Sequence, residues 1–464
     1  MRRYLVFIIS GFALLMYSID GTVVAVAFPN LVKDLNTNVL WAAWTISIFY
    51  IAVTMAMPLA GSLSDSFGRK KVFLVSLAVF TASSLACGLA PNIHFLIAFR
   101  FLQGIGGASF LPTASGIVSD HFPESRERVI GLFSSIFPIG GIIGPNLGGW
   151  IVSFYSWRYV FYINLPIGIT LIVLSVFLLK DTRLFARRRI DFRGVALFNV
   201  AILFLMFGLN IIADKIAFLS FLLAALFLAL SLSFTLLFLR QEKREPNPML
   251  DVALLQSTPF LAANLMNLII GIAVFGIFSF IPFYATSVHG LSTLMSGVIL
   301  TPQALGSIAA STVTSFLLRR WGYRWPMVWG FGIIAGVTIL LAPGFYFLNA
   351  MLVHSGSAAL LSSLLLVSGT GMGLAFPASN NACIELMPER IATIVGLRNM
   401  FRTVGGALGV SIITVILHVS GTPVSGFRII FLSFGLALFL SLPLILLMPA
   451  GKGTWDKKPG LENP

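Results

Sequence analysis

Charge is what this sequence has least of. Only 10% of its 464 residues are charged and just 16 are acidic, too few to cover the surface of a water-soluble protein of this length. Cysteine is down to two, Cys87 and Cys383. They fall in separate apolar stretches, say little about redox compartment and read as small core residues. Long polar stretches are missing as well. No interval between apolar segments exceeds about 20 residues, which leaves no room for an extramembrane nucleotide-binding domain. With no GxxxxGK[ST] phosphate loop either, bound ATP is not the expected source of energy.

What fills the chain is apolar: 58% of residues, 42 Phe among them, with 42 Gly and a mean hydropathy of +0.96. A bilayer span needs about 20 mostly apolar residues, because the hydrocarbon core is roughly 30 Å thick and a helix rises about 1.5 Å per residue. Fourteen segments meet that requirement, from Leu5–Phe28 at one end to Phe427–Met448 at the other. The prediction is an all-α polytopic membrane protein. Its first apolar stretch lacks a small-residue cleavage site and is long enough to span, so it reads as an uncleaved first helix.

The net charge of +14 is a matter of placement. Of 30 Lys and Arg, 23 lie in the two tails and in alternate loops, among them Arg69, Lys70, Lys71, the run from Lys180 to Arg193, and Arg319, Arg320 and Arg324. The positive-inside rule makes those loops and both termini cytoplasmic. The basicity is then a topology signal with attraction to anionic lipid headgroups, and implies no nucleic-acid partner. Four of five histidines, His94, His289, His354 and His418, map to the opposite ends. They read as interfacial residues, and no metal site or acid-base cluster is evident.

The longest polar stretch, Arg240 to Pro259, reads as a linker between eight spans and six. GSLSDSFGRKK (Gly61–Lys71) recurs weakly as SFLLRRWGYRW (Ser315–Trp325), keeping Leu63/Leu317, Gly68/Gly322 and Lys70/Arg324 while Arg319 replaces Asp65. Parallel halves with corresponding loops are a common transporter plan. The predicted parse is a six-helix bundle over 1–180, two extra spans with basic linkers over 181–245, a second six-helix bundle over 246–450 and a cytoplasmic tail over 451–464.

Three constellations carry chemistry. In the loop, Gly61, Asp65, Gly68, Arg69 and Lys70 fit a latch that holds one conformation, against the plainer reading of a topology-setting basic loop. In GLFSSIFPIGGIIGPNLGG, Gly131, Gly140, Gly144, Gly148 and Gly149 accompany Pro145. The repeat of Gly140, Gly144 and Gly148 every four residues makes a flat stripe for close helix packing, and Pro145 is expected to bend the helix there. Such a helix is either ordinary packing or a surface across which two halves rock. Finally, Asp20 in the first span and Arg100 in the fourth reach the same depth in the outer third of the bilayer. Unpaired charges there cost several kcal/mol, so each needs a partner or a water-filled cavity. The pair is either structural or a titrating carboxylate on a transport path. Tyr17, Tyr50, Asn264, Asn267, Asn380 and Asn381 are span residues that either line a cavity or hydrogen-bond between helices.

The segments DGTVVAVAFP (Asp20–Pro29), GSLSDSFGRKK, RFLQGIGGA (Arg100–Ala108), the glycine helix and WRYVFYINLPIG (Trp157–Gly168) resemble, in order and spacing, the signature motifs of the major facilitator superfamily. More narrowly they are similar to its fourteen-helix drug:proton antiporters, and RNMFRTVGGALGV (Arg398–Val410) extends the likeness to the thirteenth span. The resemblance implies the major facilitator fold, two six-helix bundles plus two extra helices, working by alternating access. It implies proton-coupled export of hydrophobic or cationic small molecules, with Asp20 and Arg100 in proton coupling, the Gly131–Gly149 helix as the antiporter motif, and no cofactor beyond a coupling H+. It further implies a monomer in the bacterial plasma membrane, partnered by lipids and a lipophilic substrate. A lipid or glycolipid exporter and a non-transporting scaffold are the alternatives. One departure stands out: no Asp or Glu lies deep in the last six spans, Glu385 being the nearest.

Overall fold

A computed structural model describes residues 2–122, 136–179, 191–214, 218–245, 257–343, 357–386 and 391–450. Every regular element among them is helical. Backbone groups inside hydrocarbon have no water to bond, so a span must satisfy them within itself, which a helix does. The order is α1 (Arg2–Asp34), α2 (Val39–Phe67), α3 (Arg69–Gly88), α4 (Ile93–Ala108), α5 (Phe110–His121), α6 (Ile136–Phe154), α7 (Tyr159–Tyr162), α8 (Asn164–Leu178), α9 (Phe192–Asp214), α10 (Phe218–Glu242) and α11 (Thr258–Ile270). A π-helical turn (Gly271–Phe275) then leads to α12 (Gly276–Ser287), α13 (Thr293–Val298), α14 (Thr301–Trp321), α15 (Arg324–Leu340), α16 (Ser357–Glu385), α17 (Ile391–Val419) and α18 (Pro423–Ser441). Among the described residues eleven stretches are long and apolar enough to cross a membrane, and three shorter apolar helices, Ile139–Phe154, Arg193–Leu209 and Arg324–Leu340, join them.

Several predicted spans are interrupted where the sequence reads as continuous. The fourth breaks at Ser109 between α4 and α5. The tenth breaks after Val298, just before Pro302, whose missing amide suits a helix start. The ninth carries the π-helical turn, at which Gly271 meets Gly405 of α17: a Cβ on Gly271 would lie 2.8 Å from the Gly405 Cα. Small residues on both helices permit that approach.

Helix contacts knit the chain laterally. α1 packs on α6, α2 on α4, α14 on α16, and α9 on α10. Across the middle, α2 meets α17, α6 meets α13 and α1 meets α12, while α9 leans on both α2 and α17. Phe28 is wholly buried and meets Phe280 and Phe283 at 5.3 and 5.2 Å between ring centroids, so aromatic rings join α1 to α12.

The weak repeat has a structural counterpart. Gly68 joins α2 to α3 at φ 95°, and Gly322 joins α14 to α15 at φ 68°. Each donates its amide four residues back, to Ser64 O at 3.2 Å and Leu318 O at 2.9 Å. The following basic residues also match: Lys70 Nζ donates to Val176 O (2.9 Å) at the end of α8, and Arg324 Nη2 to Met448 O (3.1 Å) beyond α18. Cations at helix C-termini satisfy carbonyls left over by the last turn. Gly68→Ala places a Cβ in a backbone region that side chains avoid, at roughly 1–2 kcal/mol. A lowered thermal unfolding midpoint, against an unchanged one for Gly141→Ala, is the expected measurement.

Candidate functional site

Asp20 lies midway along α1 and is completely buried; Arg100, on α4, is 1% exposed. Arg100 reaches it because α4 approaches its neighbours closely: a Cβ on Gly104 would sit 2.8 Å from Phe49 O of α2, and one on Gly106 would sit 2.8 Å from Phe80 N of α3. Arg100 Nη1 donates to Asp20 Oδ2 at 2.6 Å and to Gln103 Oε1 at 2.8 Å, and its Nε donates to Thr45 O at 3.1 Å. The guanidinium lies over the Phe49 ring, 4.1 Å from its centroid. The other carboxylate oxygen, Oδ1, accepts from Gln103 Nε2 at 2.8 Å and from Asn164 Nδ2 at 2.9 Å. Both amides also donate to Ser84 Oγ, at 3.1 and 2.9 Å, which passes its own proton to Phe161 O at 2.9 Å.

This is a closed circuit joining α1, α2, α3, α4, α7 and α8. The carboxylate takes three donors and one full counter-charge. Such satisfaction is what a buried ion pair needs to offset its desolvation. Removal of one partner strands the other at about 3–5 kcal/mol. Gln103, Asn164 and Ser84 are the members that sequence reasoning missed. Their signal was position: Gln103 follows Arg100 by three residues on one helix face, and Asn164 is a polar residue inside WRYVFYINLPIG.

The glycine helix is placed directly against this circuit. A Cβ on Gly148 would come within 2.8 Å of Val23 Cγ2, Gly140 backs on Ser18, and Gly144 backs on Thr22 and, at 3.0 Å, on Ile19 O. These α1 residues flank Asp20 on both sides. On its other side α6 meets α13, with Gly149 facing Leu294 O (3.0 Å from an added Cβ). Asn146 Nδ2 donates to Thr301 Oγ1 at 2.6 Å. The helix runs continuously through Pro145; Gly131 lies outside the described residues.

The predicted latch sits where α2 turns into α3. Arg69 Nη1 donates to Gly116 O of α5 at 2.5 Å, and Lys70 binds the end of α8 as described. Gly61 and Asp65 belong to the last turns of α2, with their side-chain surroundings outside the described set.

Tyr17 of α1 and Tyr50 of α2 both meet Phe49. Tyr17 stands over Phe49, 5.8 Å between centroids, and Tyr50 meets the same ring edge-on at 6.3 Å, while Ser279 Oγ of α12 donates to Phe275 O at 3.0 Å. The asparagines do not join them. Asn264 and Asn267 are buried and turn their amides back on Phe260 O (2.9 Å) and Ala263 O (2.7 Å) of their own helix. Asn381 does the same to Pro377 O (2.8 Å), and Asn380 is half-buried with its Oδ1 unpaired.

The Major Facilitator Superfamily model matches residues 10–410. The chain is 30% identical over 415 residues to the Multidrug transporter protein MdtP of Bacillus subtilis (strain 168), covering 89% of this chain and 75% of that one. It is also 30% identical over 413 residues to the Multidrug resistance protein B homolog of Mycobacterium tuberculosis (strain ATCC 25618 / H37Rv), covering 87% and 74%. Among solved structures, a bacterial homologue of the human lysosomal transporter Spinster, inward-facing and occupied, superposes with a TM-score of 0.68 at 15% identity over 96% of each chain. The resemblance that the motifs raised is thereby shown at the level of sequence and of fold, and the chain belongs to the major facilitator superfamily of membrane transporters.

Proposed function

We propose that this transporter is a proton-coupled antiporter exporting lipophilic small molecules by alternating access. It crosses the bacterial plasma membrane fourteen times, the eleven long spans plus the three shorter apolar helices, with both termini cytoplasmic, and works as a monomer without a cofactor. Residues 1–180 and 246–450 form its two bundles and 181–245 its extra spans, the arrangement favoured by the paired Gly68 and Gly322 turns.

The observation that carries the reading is the buried Asp20–Arg100 pair with α6 packed on the residues around it. A proton delivered to Asp20 cancels the charge that Arg100 answers and turns one acceptor oxygen into a donor. The circuit then loses its tightest bond, and α1 is released from α4. Because α6 rests on α1 through glycines, a shift of α1 changes the α6–α13 contact between the two bundles. That is a path from proton to conformation through packed backbone. The multidrug names of the relatives favour export of lipophilic compounds.

Purified protein in vesicles holding a pH-sensitive dye provides the test. A lipophilic compound moving up its gradient should be accompanied by protons moving the opposite way, and a collapsed pH gradient should stop it. Uphill movement that ignores the pH gradient, or follows sodium instead, ends the proton-antiport reading.

A further inference from the structure

Two arginines have no task in the cycle just described. Arg398 and Arg402 lie one turn apart on α17, inside the protein. Arg402 donates from Nη2 to Asn399 Oδ1 at 3.0 Å and stands 5.0 Å from the Phe275 ring centroid. Arg398 is 9% exposed and its Nε has no hydrogen-bond partner. Charges one turn apart repel. Neither arginine forms an ion pair with a carboxylate among the described residues.

Asp20, the deep acid, is already committed to Arg100. With Asp20 at −1 and Arg100, Arg398 and Arg402 at +1 each, the four groups sum to +2. Uncompensated charge at membrane depth is strongly unfavourable and marks a ligand or ion path. Arg402, Tyr17, Tyr50 and Phe275 are each partly accessible, and α17, which carries Arg402, packs on α2, which carries Tyr50, and on the π-helical turn, which carries Phe275. The Gly271–Gly405 crossing fixes α17 against that turn, one turn away from Arg402.

We infer that Arg402, supported by Arg398, is an anion-recognition group on the transport path, and that the substrates are amphipathic organic anions. A guanidinium fork matches a carboxylate or phosphate, and the rings of Tyr17, Tyr50 and Phe275 supply an apolar wall for the body of the molecule. Cations are opposed by the same charge. This rests on the transporter reading above and names its substrate class; because it is read by binding, without a gradient, its failure is separable from a failure of proton coupling.

The test uses purified full-length protein in detergent and three fluorescent probes that differ only at the head: 11-(dansylamino)undecanoic acid, its methyl ester, and the corresponding trimethylammonium compound. The acid should bind tighter than the ester by about tenfold to a hundredfold, the range for a hydrogen bond to a charged group, and the cation weakest. Arg402→Gln should erase the preference for the acid while ester affinity stays within about twofold; Arg402→Lys should keep part of it. Arg398→Gln should reduce the preference without erasing it. Displacement of the acid probe by oleate or by lysophosphatidate supports the site, and the stronger competitor distinguishes a free carboxylate from a lipid headgroup as its source. Equal binding of acid and ester by the wild type, tightest binding of the cation, or an acid preference untouched in Arg402→Gln overturns the inference. The wild-type comparison needs no variant, so a poorly folding Arg402→Gln leaves the question decidable.

Discussion

Asp20→Asn abolishes uphill transport and lowers thermal stability together, and adding Arg100→Gln restores the stability without the transport. An amide at position 20 keeps the shape of the carboxylate but offers one acceptor where three donors converge. Whichever way it turns, its NH2 faces either Arg100 Nη1, now 2.6 Å from Oδ2, or the Gln103 and Asn164 amides at 2.8 and 2.9 Å from Oδ1. Arg100 is left buried with Thr45 O, Gln103 Oε1 and the Phe49 ring, and no counter-charge. A stranded buried charge costs about 3–5 kcal/mol, which is why the single variant confounds function with folding. Removing both charges replaces the ion pair by an uncharged amide pair, a change that is often neutral or stabilising. Thermal unfolding in detergent and gradient-driven uptake into proteoliposomes, measured side by side, separate the two roles. Wild-type uphill transport by the double variant would show that the pair only holds helices together.

The second large effect is at Gly144. Even alanine there meets Thr22 Oγ1 and the Ile19 carbonyl, the latter 3.0 Å from the new Cβ and unable to rotate away. Thr22 Oγ1 is already engaged, donating toward Ile19 O and Ser18 O at 3.1 Å and Gly140 O at 3.4 Å. Overpacking of this kind costs about 1–3 kcal/mol. Here it pushes α1 off α6 two residues from Asp20. Since about 1.4 kcal/mol is a factor of ten in rate, Gly144→Ala should slow transport roughly tenfold and Gly144→Leu should stop it, with probe binding retained. Gly141 is the internal control: it lies on the same helix three residues away, and nothing stands within 4 Å of its added Cβ. Gly141→Ala should transport like the wild type. Equal loss in both alanine variants, or in neither, would remove the stripe from the mechanism.

What the sequence by itself determined is whatever the bilayer dictates locally. Span length follows from hydrocarbon thickness, helicity from the absence of water for backbone groups, and the expense of charge at depth singles out Asp20 and Arg100 before any fold is known. The four-residue spacing of Gly140, Gly144 and Gly148 announced a packing stripe for the same reason, since helical period is a local property.

The tertiary structure decided who meets whom. Asn164 and Asn264 are both asparagines inside apolar spans, yet one closes on a carboxylate 144 residues earlier in the chain and the other bonds its own helix, four residues back. Nor does the sequence separate Arg100, answered by Asp20, from Arg402, answered by no acid among the described residues. It could not tell that Gly144 faces the helix of Asp20 while Gly141 faces open space. Partnership at these positions depends on helix rotation and on close crossings between distant spans. Those are set by all the glycine contacts at once, a collective property that no local window of residues contains.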